Sequence, residues 1–266
     1  MAVATAQPPI QQQQYPSLHA GVMGMYIFLC SEVMFFGSLF AMYFYMVGSH
    51  TGWPPPGTRA VEVWPLPTIN TVVLLSSGIT CHFGLEALRH DGRLGRGGTV
   101  GALIMGVALV LMVLFSILAV IGGAVGDSVI GWGGAVAAFV AILVFLGRGP
   151  FVGRRIFLGL WICTIVLGVF FELGQAYEFA TAHINFTTNQ FASAFFTMTG
   201  FHGGHVAGGL ILLTLILGRA LKGNFSAANH VGPAAITLYW HFVDLVWVFL
   251  YLVLYFAVTG PIASSG

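Results

Sequence analysis

Apolar residues run along this chain in stretches too long for a soluble helix, separated by short segments rich in Gly, Pro and charge. Seven stretches, 21–47, 65–88, 100–124, 128–147, 156–180, 191–218 and 234–259, match the about 20 mainly apolar residues that a helix needs to cross the bilayer hydrocarbon. In lipid every backbone N–H and C=O must be satisfied within the protein, and a span of this length does so as a helix. The pattern therefore predicts an all-α membrane protein, a seven-transmembrane helix bundle that forms one domain over 19–266 behind a polar tail at 1–18. That tail carries Gln11 to Gln14, no basic residue and no apolar core, so it does not read as a signal peptide.

The gaps set an orientation. Arg89, Arg93 and Arg96 follow the second span, Arg148, Arg154 and Arg155 the fourth, and Arg219 and Lys222 the sixth, while Arg59 stands alone on the other side. The positive-inside rule then puts the N-terminus in the cytoplasm and the C-terminus outside. Trp53-Pro54-Pro55-Pro56-Gly57 cannot be helical and is expected as an ordered outer loop. The second span opens with Pro65 and Pro67 and carries Asn70, Thr71, Ser76, Ser77 and Thr80, residues that bond across helices or back to their own backbone. Spans three and four, rich in Gly, Ala, Val and Leu with Asp127 between them, read as a hairpin used for packing or as an interaction surface.

Composition sharpens this picture. The chain is 58% hydrophobic and 6% charged, against about 25% charged in a soluble domain. Its net charge of +1 offers no basic stripe for nucleic acid. Cys30, Cys81 and Cys163 fall in separate spans, which suits neither a disulfide framework nor a thiolate metal site. The ionisable residues left inside apolar runs are Glu32, Glu172, His202, His205, His241 and Asp244. Each costs roughly 2.5–3.5 kcal/mol on insertion scales, so each must be used, paired or buried against protein.

Glu32 sits about halfway across the first span and is expected to be protonated or hydrogen-bonded to a neighbour. Gln175 and Glu178 share a helical face, with Glu172 leading into it. Gly200, Gly204 and Gly208 form two overlapping GxxxG steps, a packing seam beside His202 and His205. His241 and Asp244 lie three apart and can bond each other, while Trp240 and Trp247, seven apart, form a stripe suited to lipid or a partner subunit. Copper needs several converging His or Cys and haem an axial His. An HxxH spacing without such partners favours structural, hydrogen-bonded imidazoles over metal or haem cofactor ligands in this chain.

Ser31-Glu32-Val33-Met34-Phe35-Phe36, then Trp53-Pro54-Pro55, then Ile69-Asn70-Thr71 with Leu74-Leu75-Ser76-Ser77-Gly78, then Gln175 with Glu178, Thr199 to Val206 and Tyr239 to Trp247, resemble cytochrome c oxidase subunit III in chain order, over roughly 21–96 and 156–256. The resemblance implies a non-catalytic core subunit of a bacterial haem–copper terminal oxidase, multi-pass in the cytoplasmic membrane. Such a subunit packs mainly against subunit I, with subunit II nearby and a respiratory supercomplex as a further setting; haem and copper belong to those partners. It binds phospholipid and supports proton uptake. By that likeness Glu32 is the membrane-embedded glutamate; Arg219, Lys222 and His230 meet lipid phosphates; Asn70, Gln175, Glu178, His202, His205, His241 and Asp244 form a buried polar framework.

Departures accompany the likeness. Two helices that usually precede the one bearing Glu32 are absent, and the hairpin 100–147 is inserted. Val22 replaces a basic residue, Leu85 and Glu86 a histidine pair, and Glu172 a neutral residue. Two other readings fit the same residues: subunit III of a quinol oxidase or nitric oxide reductase-like complex, and a proton-coupled transporter using Glu32, Glu172 and Asp244, although no internal repeat supports the latter.

Overall fold

The structure, a computed structural model, describes residues 20–50, 52–55, 66–90 and 152–256. The tail 1–18 and the expected hairpin 100–147 lie outside the described residues. The described residues form five α-helices: α1 (Ala20–Ser49), α2 (Leu66–Arg89), α3 (Val152–Thr181), α4 (Gln190–Leu221) and α5 (Val231–Leu250). All five are long and apolar enough to cross a membrane. Their ends follow local chemistry. Asn189 caps α4 by accepting the Ala192 N–H at 2.8 Å, satisfying one of the donors that a helix start leaves free. At the other end of α4, Gly223 takes φ +82, a conformation open to glycine, and Arg154 donates to the carbonyls of Ala220 and Leu221 at 2.9 and 3.0 Å.

The last predicted span, 234–259, does not stay α-helical. Beyond Leu250 the chain widens into a π turn over Tyr251–Phe256. Its two phenols reach different helices: the Tyr251 hydroxyl lies 2.8 Å from Thr68 Oγ1 on α2, and Tyr255 Oη donates to Glu178 Oε2 on α3 at 3.1 Å. An apolar run carries no signal for this widening.

Helices α2 to α5 close into a ring, α2 against α3, α3 against α4, α4 against α5 and α5 against α2, while α1 lies outside against α5 and α4. Within the ring neighbours run antiparallel, as Arg154 at the end of α4 and Gly84 of α2 beside Phe157 and Leu160 of α3 attest. Arg89, Arg154, Arg155, Arg219 and Lys222 consequently gather at one end of the bundle. The ring is bound by large side chains seated on glycines. Trp240 fills the space over Gly168 and Gly209, where an added Cβ would come within 2.9 and 2.7 Å of its ring. Asn70 presses on Gly174, and Asp244 on Gly78.

Among the described residues, a Cβ added to Gly200 or Gly204 would meet nothing within 4 Å, and one on Gly208 only Tyr239 Oη at 3.7 Å. The inward face of α4 is set by Met198, His202, Val206, Gly209, Leu213 and Ile216, because the bulkier apolar side chains take the interior and turn the strip outward. One expectation is corrected: Trp240 and Trp247 face no lipid, since both are fully buried. An indole N–H in hydrocarbon needs an acceptor, and α2 supplies it. Trp240 donates to Ser77 Oγ and Trp247 to Thr71 Oγ1, each at 2.9 Å. The same hydroxyls donate back to Leu74 O and Pro67 O, so they bond across helices and to their own backbone at once.

Gly168→Leu should therefore destabilise the bundle by about 1–3 kcal/mol through overpacking against Leu210 and Trp240. Gly204→Leu should shift the same unfolding transition by less than about 0.5 kcal/mol, as an outward substitution does. Thermal melts of the purified protein in detergent, followed by circular dichroism, separate the two.

Candidate functional site

Glu32 and His205 come together from helices that are far apart in sequence. Glu32 Oε2 lies 3.0 Å from His205 Nε2, with the side chains 16% and 20% exposed. The other ring nitrogen, Nδ1, lies 2.7 Å from the carbonyl of Phe201. A carbonyl only accepts, so Nδ1 carries a proton. That leaves one proton between Nε2 and the carboxyl, as carboxylic acid with imidazole or carboxylate with imidazolium; either way the pair is neutral as a unit. Phe36 stands edge-on to the imidazole at 5.0 Å and Phe35 edge-on to Phe201 at 5.0 Å. Tyr239 Oη donates to the His205 carbonyl at 2.8 Å, which brings α5 into the same junction. The neighbour expected for Glu32 is thus His205, and their bond joins α1 to the ring.

At the far end α1 is fixed again: Trp53 Nε1 donates to Tyr43 Oη at 3.0 Å, and Tyr43 Oη donates to the Val253 carbonyl at 3.4 Å. Between these ties much of α1 is open, with Ile27, Met34 and Tyr45 largely exposed.

His241 Nδ1 and Asp244 Oδ2 stand 3.6 Å apart on α5, over Gly78. The His82 ring lies 5.9 Å from His241 and is exposed. Sequence reading missed His82, although its place in an apolar span marks it as strongly as the other histidines. Gln175 Nε2 donates to Glu178 Oε2 at 3.1 Å, and Tyr255 donates to the same oxygen. Tyr255 was missed because its helix changes pitch. Glu172 faces α4, with Oε2 3.6 Å from where a Cβ on Gly203 would sit.

Several buried polar atoms have no hydrogen-bond partner among the described residues: both amide atoms of Asn70, both ring nitrogens of His202, and one oxygen each of Glu172, Gln175, Glu178 and Asp244. An unsatisfied buried group costs about 1–3 kcal/mol. His202 is wholly enclosed, stacked on Trp247 at 5.0 Å and edge-on to Phe171 at 5.8 Å. At the basic end Arg219 and Lys222 are exposed, with the Arg219 guanidinium 5.8 Å above the Phe225 ring. His230 starts α5 with Nδ1 2.6 Å from Ala227 O. Among the described residues no three His, Cys, Asp or Glu side chains converge as metal ligands. His205 meets Glu32 and the Phe201 carbonyl, and His202 is walled in by the Trp247 and Phe171 rings. The arrangement holds helices together and shares a proton.

The family model for cytochrome c oxidase subunit III matches residues 9–138 and 153–259. The cytochrome c oxidase subunit 3 of Thermostichus vulcanus is 33% identical over 235 residues, covering 88% of this chain and 86% of the relative. That of Synechocystis sp. is 30% identical over 88% of this chain and 74% of its own length. A probable cytochrome c oxidase subunit 3 of Mycobacterium bovis is 30% identical over 88% and 86%.

In a double-mutant cycle of Glu32→Leu and His205→Leu, unfolding in detergent should report a coupling of about 0.6 kcal/mol and at most about 1.7, the average and maximum measured for interhelical hydrogen bonds in a membrane protein. Additive losses would mean that the two side chains do not stabilise each other.

Proposed function

The chain belongs to the cytochrome c oxidase subunit III family, and from that premise we propose that it is the non-catalytic core subunit of a bacterial haem–copper terminal oxidase. The observation that carries this reading is the Glu32–His205 pair: the most deeply placed acid of α1 is committed to a helix junction rather than to a redox ligand. Haem and copper then reside in the partner subunits, with subunit I the main neighbour and subunit II beside it. This chain contributes bracing, a lipid site and a neutral proton-sharing pair.

The basic end supports phospholipid binding. Arg219, Lys222, Arg154 and Arg155 are exposed there, and each basic residue near a membrane surface adds about 1 kcal/mol of attraction for anionic headgroups. Arg154 is partly spent on the end of α4, and His230 on Ala227, which leaves Arg219, Lys222 and Arg155 as the main phosphate contacts. By the positive-inside rule this end faces the cytoplasm, the side from which an oxidase draws protons. The names of the relatives favour cytochrome c over quinol as donor. A transporter relay is disfavoured because Glu32, Glu172 and Asp244 have separate neighbours, His205, Gly203 and Gly78 with His241.

Extraction in a mild detergent should bring haem-bearing subunits down with this chain; a chain that purifies alone and free of oxidase would overturn the reading. In the purified complex Glu32→Gln should leave the first turnovers nearly intact and shorten the period over which oxygen consumption is sustained. Outright loss of activity in the first turnover would instead place Glu32 in the chemistry.

A further inference from the structure

The interior of the ring holds more polar atoms than the described residues supply partners for, and they are arranged around one indole. Trp247 takes His202 against its face and the edge of Phe171 at 4.7 Å. Its N–H goes to Thr71, the residue after Asn70. Its ring lies 6.2 Å from Tyr255, which in turn reaches Glu178. Asn70 and His202 are fully buried, and Gln175 is 3% exposed. Asn70 presses on Gly174, next to Gln175. Neither amide atom of Asn70, neither nitrogen of His202, nor Oε1 of Gln175 or Glu178 has a partner among the described residues.

These groups are mixed in character, which identifies what satisfies them. An asparagine amide brings two donors and an acceptor, a neutral imidazole one of each, and a glutamine carbonyl oxygen only accepts. Among the described residues no three His, Cys, Asp or Glu side chains converge there as metal ligands, and an anion would be repelled by the acceptor oxygens of Gln175 and Glu178. A lipid headgroup has no way in, since the ring is closed by Trp247, Phe171 and Phe195, all fully buried. Water alone donates and accepts in any order, and buried waters in proteins make about three hydrogen bonds to groups otherwise left unpaired. We propose that the space among α2, α3, α4 and α5 binds a small group of ordered water molecules that bridge Asn70, Gln175, Glu178 and His202 around Trp247. The group reaches from Glu178, near the end of α3, to His202 in the middle part of α4. Because His202 packs on Phe171 and Asn70 on Gly174, the group spans about two turns of α3.

Hydroxyl radicals generated by a synchrotron pulse oxidise side chains beside bound water even where bulk solvent does not reach. The intact oxidase complex in nanodiscs, exchanged into H2(18)O and irradiated, should show Trp247 and His202 labelled several-fold faster than Trp161 and Trp240. Those two are equally buried and bonded to Leu213 O and Ser77 Oγ, so they report the rate of a dry indole. Equal, slow labelling of all three tryptophans would overturn the proposal. His202→Phe and, separately, Asn70→Leu should lower the Trp247 rate toward that of Trp161, whereas an unchanged rate in both variants counts against these residues as the water's ligands. A density map of the complex fine enough to show waters gives an independent reading. Peaks within hydrogen-bond distance of Asn70 and His202 are expected, and a dry interior with both side chains turned to protein partners would refute the site.

Discussion

Hydrocarbon offers no hydrogen bonds, and that constraint orders this molecule more strongly than apolar packing does. Lipid is as apolar as leucine, so burying another leucine gives helices little reason to choose one neighbour over another. A tryptophan N–H, a carboxyl or an imidazole has such a reason, because outside the protein it has no partner. The contacts that join one helix to another follow this rule: Trp240 to Ser77 and Trp247 to Thr71 join α5 to α2, Trp161 to Leu213 O joins α3 to α4, and Glu32 to His205 joins α1 to α4. The hydroxyls on α2 serve because each is already satisfied as a donor by its own helix and presents a lone pair across the interface.

Close backbone approach follows from the same bonds. A tryptophan that must bring its N–H to a hydroxyl on α2 passes α3 and α4 on the way, and Gly168 and Gly209 leave room for it. Gly78 and Gly174 do the same for Asp244 and Asn70. These glycines sit at cross-helix polar residues, not in the regular strip at Gly200, Gly204 and Gly208. Helix α1 has fewer such fixings, one near its middle and one at its far end, and it is correspondingly the most open of the five to its surroundings.

How much of this is legible from the chain depends on whether partners are local. Span positions were, since a run of about 20 apolar residues has few other fates; α2 and α4 begin and end within three residues of the expected 65–88 and 191–218. Pairs on one helix were legible too, Gln175 with Glu178 and His241 beside Asp244, because three residues fix a common face. What periodicity does not give is which face turns inward. The glycine strip and the tryptophan stripe each have a regular repeat, and in each case bulk and the need for an acceptor decided the direction. Nor does it give pairs across the fold: nothing near Glu32 points to His205, 173 residues away. The resemblance to the family reached further than the periodicity, because six short motifs in chain order carry long-range information that no single helix holds.

The chemistry of the histidines shows why bracing and metal binding exclude each other here. A metal takes the imidazole lone pair, and the opposite ring N–H is then held by an acceptor. His205 has the second half of that arrangement, Nδ1 on the Phe201 carbonyl, yet its Nε2 meets a carboxyl that carries or receives the shared proton. Because that proton stays within the pair, moving it from oxygen to nitrogen changes no net charge, and the pair can sit among Phe35, Phe36 and Phe201 without the cost of an isolated ion. A metal at Nε2 would displace the proton and leave Glu32 as an uncompensated carboxylate in an aromatic cage. The same geometry that makes the pair inexpensive to bury sets Nε2 against a carboxyl and its shared proton.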